Sequence, residues 1–350
     1  MTTPEVILGN SNRRFSGVTS TMLQTLPGVS ERIPLAVLGA HNLPEGTPIL
    51  SYPAFLRLCS ETLPDGSPRV FHARRNDEMI QALLAKRLFG ARIAIVFTTT
   101  AQRQHTGFTR WLMGQMDGLL TTCAAAGSYV DHEIDEVIPH GVDLECYSPT
   151  ANREKAWSEL GLPGKYGIGI FGRVRPQKGI DVLVEAAIPV LRENPDPTVV
   201  IVGETTPKFA GFRLGLEEKI AAAGLESRII FHGKRPGSEL PGLFQGMSLV
   251  AALSRNEGFG LTVLEAMASG CAVLASQAGA WPEIITEGTH GFTVPCGDIE
   301  TTHARLAELT ASPEGLAAMG RAGRKHAEEN YSVAREVEAL CAYYRRWTKS

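Results

Sequence analysis

Short apolar runs alternate with longer amphipathic stretches along the whole chain, a rhythm that predicts strands and helices in succession and parallel sheets covered on both faces. In the first half the candidate strands are Glu5 to Leu8, Leu35 to Leu38, Val70 to His72, Arg92 to Phe97, Gly118 to Thr121 and Glu136 to Ile138. Glu78 to Phe89 (EMIQALLAKRLF) has the spacing of an amphipathic helix between two of them. The stretch Ile138 to Pro149 (IPHGVDLECYSP) carries Pro and Gly punctuation and gives way to a polar helix at Arg153 to Leu160, so it reads as the crossing between two domains, 1–150 and 151–331.

A second series begins at Tyr166 to Phe171 and continues through Thr198 to Val202, Ile229 to Phe231, Leu249 to Ala252 and Ala272 to Ala275. Two doubly wound α/β domains follow. Ligands of such sheets lie beyond the carboxyl ends of the strands, which predicts a cleft between facing domains. The 350 residues suffice for two domains, and 43% hydrophobic with 20% charged residues marks an ordinary globular chain. A net charge of -3 gives no global attraction to nucleic acid. The six cysteines form no Cys-x-x-Cys pair, no cluster has the spacing of a metal site, and no Asp-x-Asp signature stands in the candidate cleft, so neither a metal nor a cofactor is expected. The amino terminus lacks the order of a secretion signal and no apolar run is long enough to span a bilayer, which makes the cytoplasm the expected location.

The densest candidate chemistry is Ser254 to Gly270 (SRNEGFGLTVLEAMASG). Glu257 precedes an expected helix start and Glu265 falls in its second turn. Between them Gly258 and Gly260 allow close backbone approach, leaving the amides of Phe259, Gly260 and Leu261 at the positive end of the helix dipole, an anion site. Amides for phosphate and one carboxylate for each set of hydroxyls suit a diphosphate flanked by two sugars. Upstream, the strand ending at Phe171 runs into Gly172, Arg173 and Lys178, two cations at a strand's carboxyl end that can converge on one diphosphate.

These motifs resemble those of retaining glycosyltransferases of family 4, and IPHGVDLECYSP, GRVRPQKGIDVLVEA, IIFHGK, RNEGFGLTVLEAMASG, WPEII and GFTVP stand in the family's order. The resemblance implies the GT-B fold, two Rossmann-like domains facing across a cleft, with Ser332 to Trp347 forming a helix that returns to the amino-terminal, acceptor-side domain. It assigns Arg173 and Lys178 to the leaving diphosphate, Glu257 to the transferred hexose and Glu265 to the ribose. It places the nucleotide base near Gly233 and Lys234, read through backbone groups. The family's Gly-Gly pair is reduced here to Ser16 and Gly17, which leaves a diphosphate contact and a plain turn as alternatives.

Within the family the sequence is most similar to bacterial lipopolysaccharide core mannosyltransferases acting on the sugar acid Kdo. That implies GDP-mannose as nucleotide-sugar donor and a lipid-linked saccharide as acceptor. A donor such as UDP-glucose, or a non-catalytic nucleotide-sugar-binding subunit, remains an alternative. Three candidates for acceptor binding stand in the first half. His72, beside Arg74 and Arg75, reads equally as a cleft-lining and a core residue; Arg103 and His105 follow a strand end where relatives place a histidine, but a surface role fits as well. Arg103, Phe108, Arg110 and Trp111, with Lys86 and Arg87, form either a solvated face or a peripheral contact with the inner membrane.

Overall fold

The structure is a computed structural model that describes residues 3–13 and 16–348. The chain divides into two compact units, one reaching to Gly141 and resuming at Val333, the other running from Val142 to Ser332. The crossing therefore falls before residue 150. Val142 donates its N–H to the Tyr331 carbonyl, and Arg324 binds the carbonyls of Leu144 and Tyr147, which ties the 142–149 stretch into the second unit.

The first unit holds a parallel seven-stranded sheet in the order β3-β2-β1-β4-β5-β6-β7. The strands are β1 (Val6–Gly9), β2 (Leu35–Leu38), β3 (Ile49–Leu50), β4 (Arg69–Ala73), β5 (Ile93–Thr99), β6 (Gly118–Thr121) and β7 (Glu136–Val137). Both faces are buried. One carries Ile7, Phe55, Phe71, Met79, Ile95 and Leu112; the other carries Leu8, Met22, Leu26, Val70 and Val96. The last helix, Val333–Thr348, sets Val337, Leu340, Tyr343 and Tyr344 into that second face. Apolar positions at helical spacing make one side of it a wedge for the core.

The second unit holds a parallel six-stranded sheet in the order β10-β9-β8-β11-β12-β13. Its strands are β8 (Tyr166–Phe171), β9 (Pro197–Val202), β10 (Ile229–Gly233), β11 (Met247–Ala252), β12 (Ala272–Ser276) and β13 (Gly291–Val294). Two of the thirteen strands among the described residues lie outside the sequence expectation. β3 is only two residues long, and β13 opens on a glycine with φ +153°, where a side chain would meet the Val273 carbonyl oxygen at 1.8 Å.

The order of each sheet reverses once, between β1 and β4 and again between β8 and β11, where two neighbouring strands send their chains to opposite sides. Loops leaving the carboxyl ends of such a pair lie side by side and leave a crevice. In the second unit the crevice residues are Phe171, Lys178, Leu253, Ser254, Thr262 and Trp281. Glycine makes the close approach possible. Gly179 has φ +66°, and a Cβ there would come within 1.9 Å of the Leu253 carbonyl oxygen; a Cβ on Gly203 would come within 1.8 Å of the Gly172 carbonyl oxygen. Gly17, in contrast, opens the helix Gly17–Ser30 with no atom near the place of a Cβ.

Gly179→Ala is accordingly expected to lower the urea-unfolding free energy of the second unit by roughly 2–4 kcal/mol, from backbone strain plus the collision. Gly17→Ala should change stability by less than about 1 kcal/mol, and a loss at Gly17 as large as that at Gly179 would contradict this placement.

Candidate functional site

The loops after β8 and β11 bring together residues far apart in sequence. Lys178 lies in a 3₁₀ turn, Pro176–Lys178, and its Nζ is 2.5 Å from Glu257 Oε2. Both side chains are about one-fifth exposed, 20% and 21%, so the pair faces an opening rather than the core. Ser254 donates its hydroxyl to the same carboxylate oxygen at 3.2 Å, and the Gly258 N–H donates to Oε1 at 3.3 Å. Gly172 takes φ +140°, and a side chain there would press on the Lys178 methylenes at 3.3 Å. Arg173 is exposed on the same loop and makes no ion pair among the described residues.

The two loops are stapled by a second set of contacts. Arg255 reaches Asp181 with both terminal nitrogens, at 2.9 and 2.7 Å, and its backbone N–H donates to the Gln177 carbonyl at 2.8 Å. Gln177 in turn donates to the Asn256 carbonyl at 3.1 Å. The bidentate fork fixes distance and orientation together. Arg255 and Asp181 each stand beside one of the two motifs, and their opposite charges are the signal in the sequence for this pairing.

The helix after Glu257 is Thr262–Ala268, so Glu265 sits in its first turn, not its second. The start is delayed because Gly260 is left-handed, φ +84°, with its carbonyl accepting from the Trp281 indole N–H at 2.8 Å. A side chain at Gly260 would strike that indole at 2.5 Å. Leu261 is the N-cap and offers no side-chain cap, so the helix start keeps its first-turn amides uncapped by its own side chain. Phe259 is 5% exposed and its carbonyl accepts from Ala280, which makes its ring a core element. Glu265 is half-buried. Burial raises its carboxyl to about 7, against the lowering pull of the Tyr147 hydroxyl and of Lys178. Tyr147, whose phenol is pushed up by burial and by Glu265, packs edge-on to Phe244, which stacks on Phe171 at 3.9 Å.

At the end of β10, Gly233 has φ +78° and accepts from the Gly203 N–H at 2.8 Å; Lys234 beyond it is exposed. Among the described residues no group of three or more His, Cys, Asp or Glu could hold a metal ion.

In the first unit, the loop after β1 is held by Glu78, a fully buried carboxylate. It accepts from the Ser11 N–H and hydroxyl at 3.3 and 3.2 Å, from the Arg74 N–H at 2.8 Å and from Arg75 Nη1 at 2.9 Å. Arg75 also donates to the hydroxyls of Ser16 (3.2 Å) and Thr19 (3.0 Å), so Ser16 next to Gly17 serves as an anchor. Arg14 and Phe15 of that loop lie outside the described residues.

His72 is 1% exposed; Nδ1 is 2.5 Å from the Tyr344 hydroxyl and Nε2 is 2.7 Å from that of Thr98. Of the two readings open in the sequence, this is the placement of the core one: the ring is buried and both nitrogens bond to hydroxyls of the fold itself. His105 is half-buried with Nε2 lacking a protein partner, and Arg103 is exposed. Phe108 and Trp111 stack with ring centres 6.0 Å apart and are 55% and 52% exposed. The cations beside them are engaged: Lys86 with Asp117, Arg87 with Gln115 and Arg110 with Asp131. Arg103 stays exposed and unpaired among the described residues, and the apolar Leu88 and Phe89 are exposed as well. No helix among the described residues is long and apolar enough to cross a membrane.

Residues 152–326, which carry all four residues of the Arg173, Lys178, Glu257 and Glu265 set, match the family of glycosyl transferases group 1. The chain is 40% identical over 341 residues to the lipopolysaccharide core biosynthesis mannosyltransferase LpcC of Rhizobium leguminosarum bv. viciae, covering 97% of this chain and 96% of that protein. It is 37% identical over 347 residues to LpsB of Rhizobium meliloti (strain 1021), a protein described in the same words, covering 97% of each. The crystal structure of Anabaena Alr3699/HepE in complex with UDP is similar in fold, with a TM-score of 0.84 over 98% of this chain and 100% of that one, at 17% identity. The chain belongs to the glycosyl transferases group 1 family and is a glycosyltransferase of the GT-B fold.

Proposed function

We propose that the protein transfers mannose from GDP-mannose, with retention at the anomeric carbon, to the inner-core Kdo of a lipid-linked lipopolysaccharide precursor. The observation that carries this reading is the contact of Lys178 with Glu257 at the second unit's switch point, with Glu265 on the helix that follows. The near full-length similarity to two lipopolysaccharide core mannosyltransferases supports the sugar and the acceptor class.

Cleaving the bond between sugar and phosphate leaves positive charge on the anomeric carbon and negative charge on the departing diphosphate. Groups that stabilise the second charge more in the transition state than in the ground state lower the barrier. Arg173 and Lys178 supply cations for the diphosphate, and the uncapped amides at Leu261 and Thr262 supply dipoles. Glu257, fixed by Ser254 and Lys178, accepts from hexose hydroxyls and sets the sugar's orientation. Glu265 accepts from the ribose, and Gly233 and Lys234 present backbone groups to the base. The acceptor hydroxyl attacks on the face that the diphosphate leaves and passes its proton to a phosphate oxygen, so no side chain acts as nucleophile. A lipid-linked acceptor sits at a membrane surface, and the apolar, stacked Phe108 and Trp111 suit peripheral contact on its cytoplasmic side.

A thermal-unfolding panel with GDP-mannose, UDP-glucose and ADP-heptose tests the reading. At 100 times its dissociation constant a ligand adds about 2.7 kcal/mol of stability, a rise of roughly 5–10 °C for a unit of this size. GDP-mannose should give the largest rise, and Lys178→Ala should cut turnover about 100-fold while the protein stays folded. A larger rise with either other donor would remove mannose from the reading.

Glu265 gives a pH dependence. Its carboxyl ionises at about 7 in the folded protein, and the ionised form accepts two hydroxyls where the protonated form accepts fewer. Donor binding should therefore weaken as pH falls through about 7, and Glu265→Gln should bind more weakly at pH 8 with that dependence flattened, as measured by titration calorimetry. A wild-type affinity that is flat from pH 6 to 8 would contradict the ribose assignment.

A further inference from the structure

The switch point of the first unit's sheet lies between β1 and β4, and the residues that follow those two strands are Asn10 and Arg74. Register pairs Leu8 with His72, so continuing it by two residues sets Asn10 beside Arg74. Each carries an unused hydrogen-bonding atom, and the two are of opposite sense. Asn10 is 0% exposed; its Nδ2 donates to the His41 carbonyl at 2.7 Å, which turns Oδ1 away, and Oδ1 has no protein partner. Arg74 is only partly exposed, and its Nη1 is buried without a partner.

The contrast with the next residue is informative. Arg75 has Glu78 for its charge and two hydroxyls besides, whereas Arg74 gives Glu78 only its backbone N–H and has no ion pair among the described residues. Among the described residues no carboxylate pairs with the Arg74 guanidinium. Arg74 acts electrostatically on the Tyr344 hydroxyl, and burial together with Arg74 itself holds the His72 imidazole well below its usual pKa, favouring the neutral ring. Glu336, whose charge also acts on Tyr344, is taken by His140 at 2.8 Å and by the Gly141 N–H at 2.8 Å.

A guanidinium partly withdrawn from water and without a carboxylate partner is satisfied by an anion, and its planar fork matches a carboxylate. The unpartnered amide oxygen of Asn10, on the neighbouring strand end, is satisfied by a hydroxyl. We propose that Arg74 is a specificity-determining residue that takes the carboxylate of a sugar-acid acceptor, with Asn10 accepting from one of that sugar's hydroxyls. The assignment rests on the acceptor reading given above and adds the side chains that distinguish an acidic sugar from a neutral one.

The test uses the full chain, GDP-mannose, and two acceptors that differ in one group, a Kdo glycoside and its carboxamide. The wild type should favour the acid by about tenfold or more in kcat/KM, the value of a hydrogen-bonded charge. Arg74→Gln should bring the ratio near one with the donor KM unchanged. Asn10→Asp, close in shape, gives Arg74 a carboxylate of its own and should also abolish the preference, so the test survives if one variant fails to fold. Either variant, folded and keeping the wild-type ratio, would overturn the inference, as would a raised donor KM in Arg74→Gln with the ratio intact, which would move Arg74 to the diphosphate. A wild type that uses both acceptors equally would overturn the role of Arg74 and leave the transfer reaction standing; one that uses neither would overturn the acceptor reading and the inference with it.

Discussion

The contact between the Lys178 ammonium and the Glu257 carboxylate depends on a constraint of sheet topology. Strands β8 and β11 are neighbours although the β9 and β10 segments separate them in sequence, and the chains leaving them turn to opposite sides. There the cation at one strand end and the carboxylate at the other meet at 2.5 Å. The approach needs Gly179 against the Leu253 carbonyl and Gly203 against the Gly172 carbonyl, since any side chain would hold the loops apart. Arg255 and Asp181 then fix the separation from outside. A partly open ion pair of this kind adds little to stability, and its value lies in holding two differently charged groups in one place.

The first unit repeats the topological device with different chemistry. Its switch point is organised by a buried carboxylate, Glu78, which gathers the Ser11 loop and Arg75, and through Arg75 the hydroxyls of Ser16 and Thr19. A buried carboxylate is tolerable because four donor groups meet it. Where the family resemblance implies a pair of glycines, this chain has Ser16 and Gly17, and the serine hydroxyl is part of the clamp. The described ends of the loop, at Ser11 and Ser16, are thus held by side-chain bonds.

Much of this architecture was legible in the sequence because strands buried on both faces read as unbroken apolar runs. Leu35–Leu38, Gly118–Thr121 and Tyr166–Phe171 fall where those runs are. β3 escaped because two residues make no run, and β13 because it begins on a glycine. Lys178 and Glu257 could be named as partners in one site from their motifs, but not as direct neighbours, since that follows from strand order. The position of Glu265 was misjudged by a turn because the left-handed Gly260 and its bond to Trp281 delay the helix, a tertiary effect. His72 was undecidable in one dimension. Its buried placement follows from the bond to Tyr344, which lies 272 residues away.

The claim that the β8 and β11 loops form a single grip for a departing diphosphate is tested most directly by a crystal structure with GDP-mannose bound. The account expects diphosphate oxygens within about 3 Å of Lys178 Nζ and of the Arg173 guanidinium, with hexose hydroxyls on Glu257 and the ribose on Glu265. A diphosphate bound away from both cations, with Lys178 still engaged only by Glu257, would contradict it.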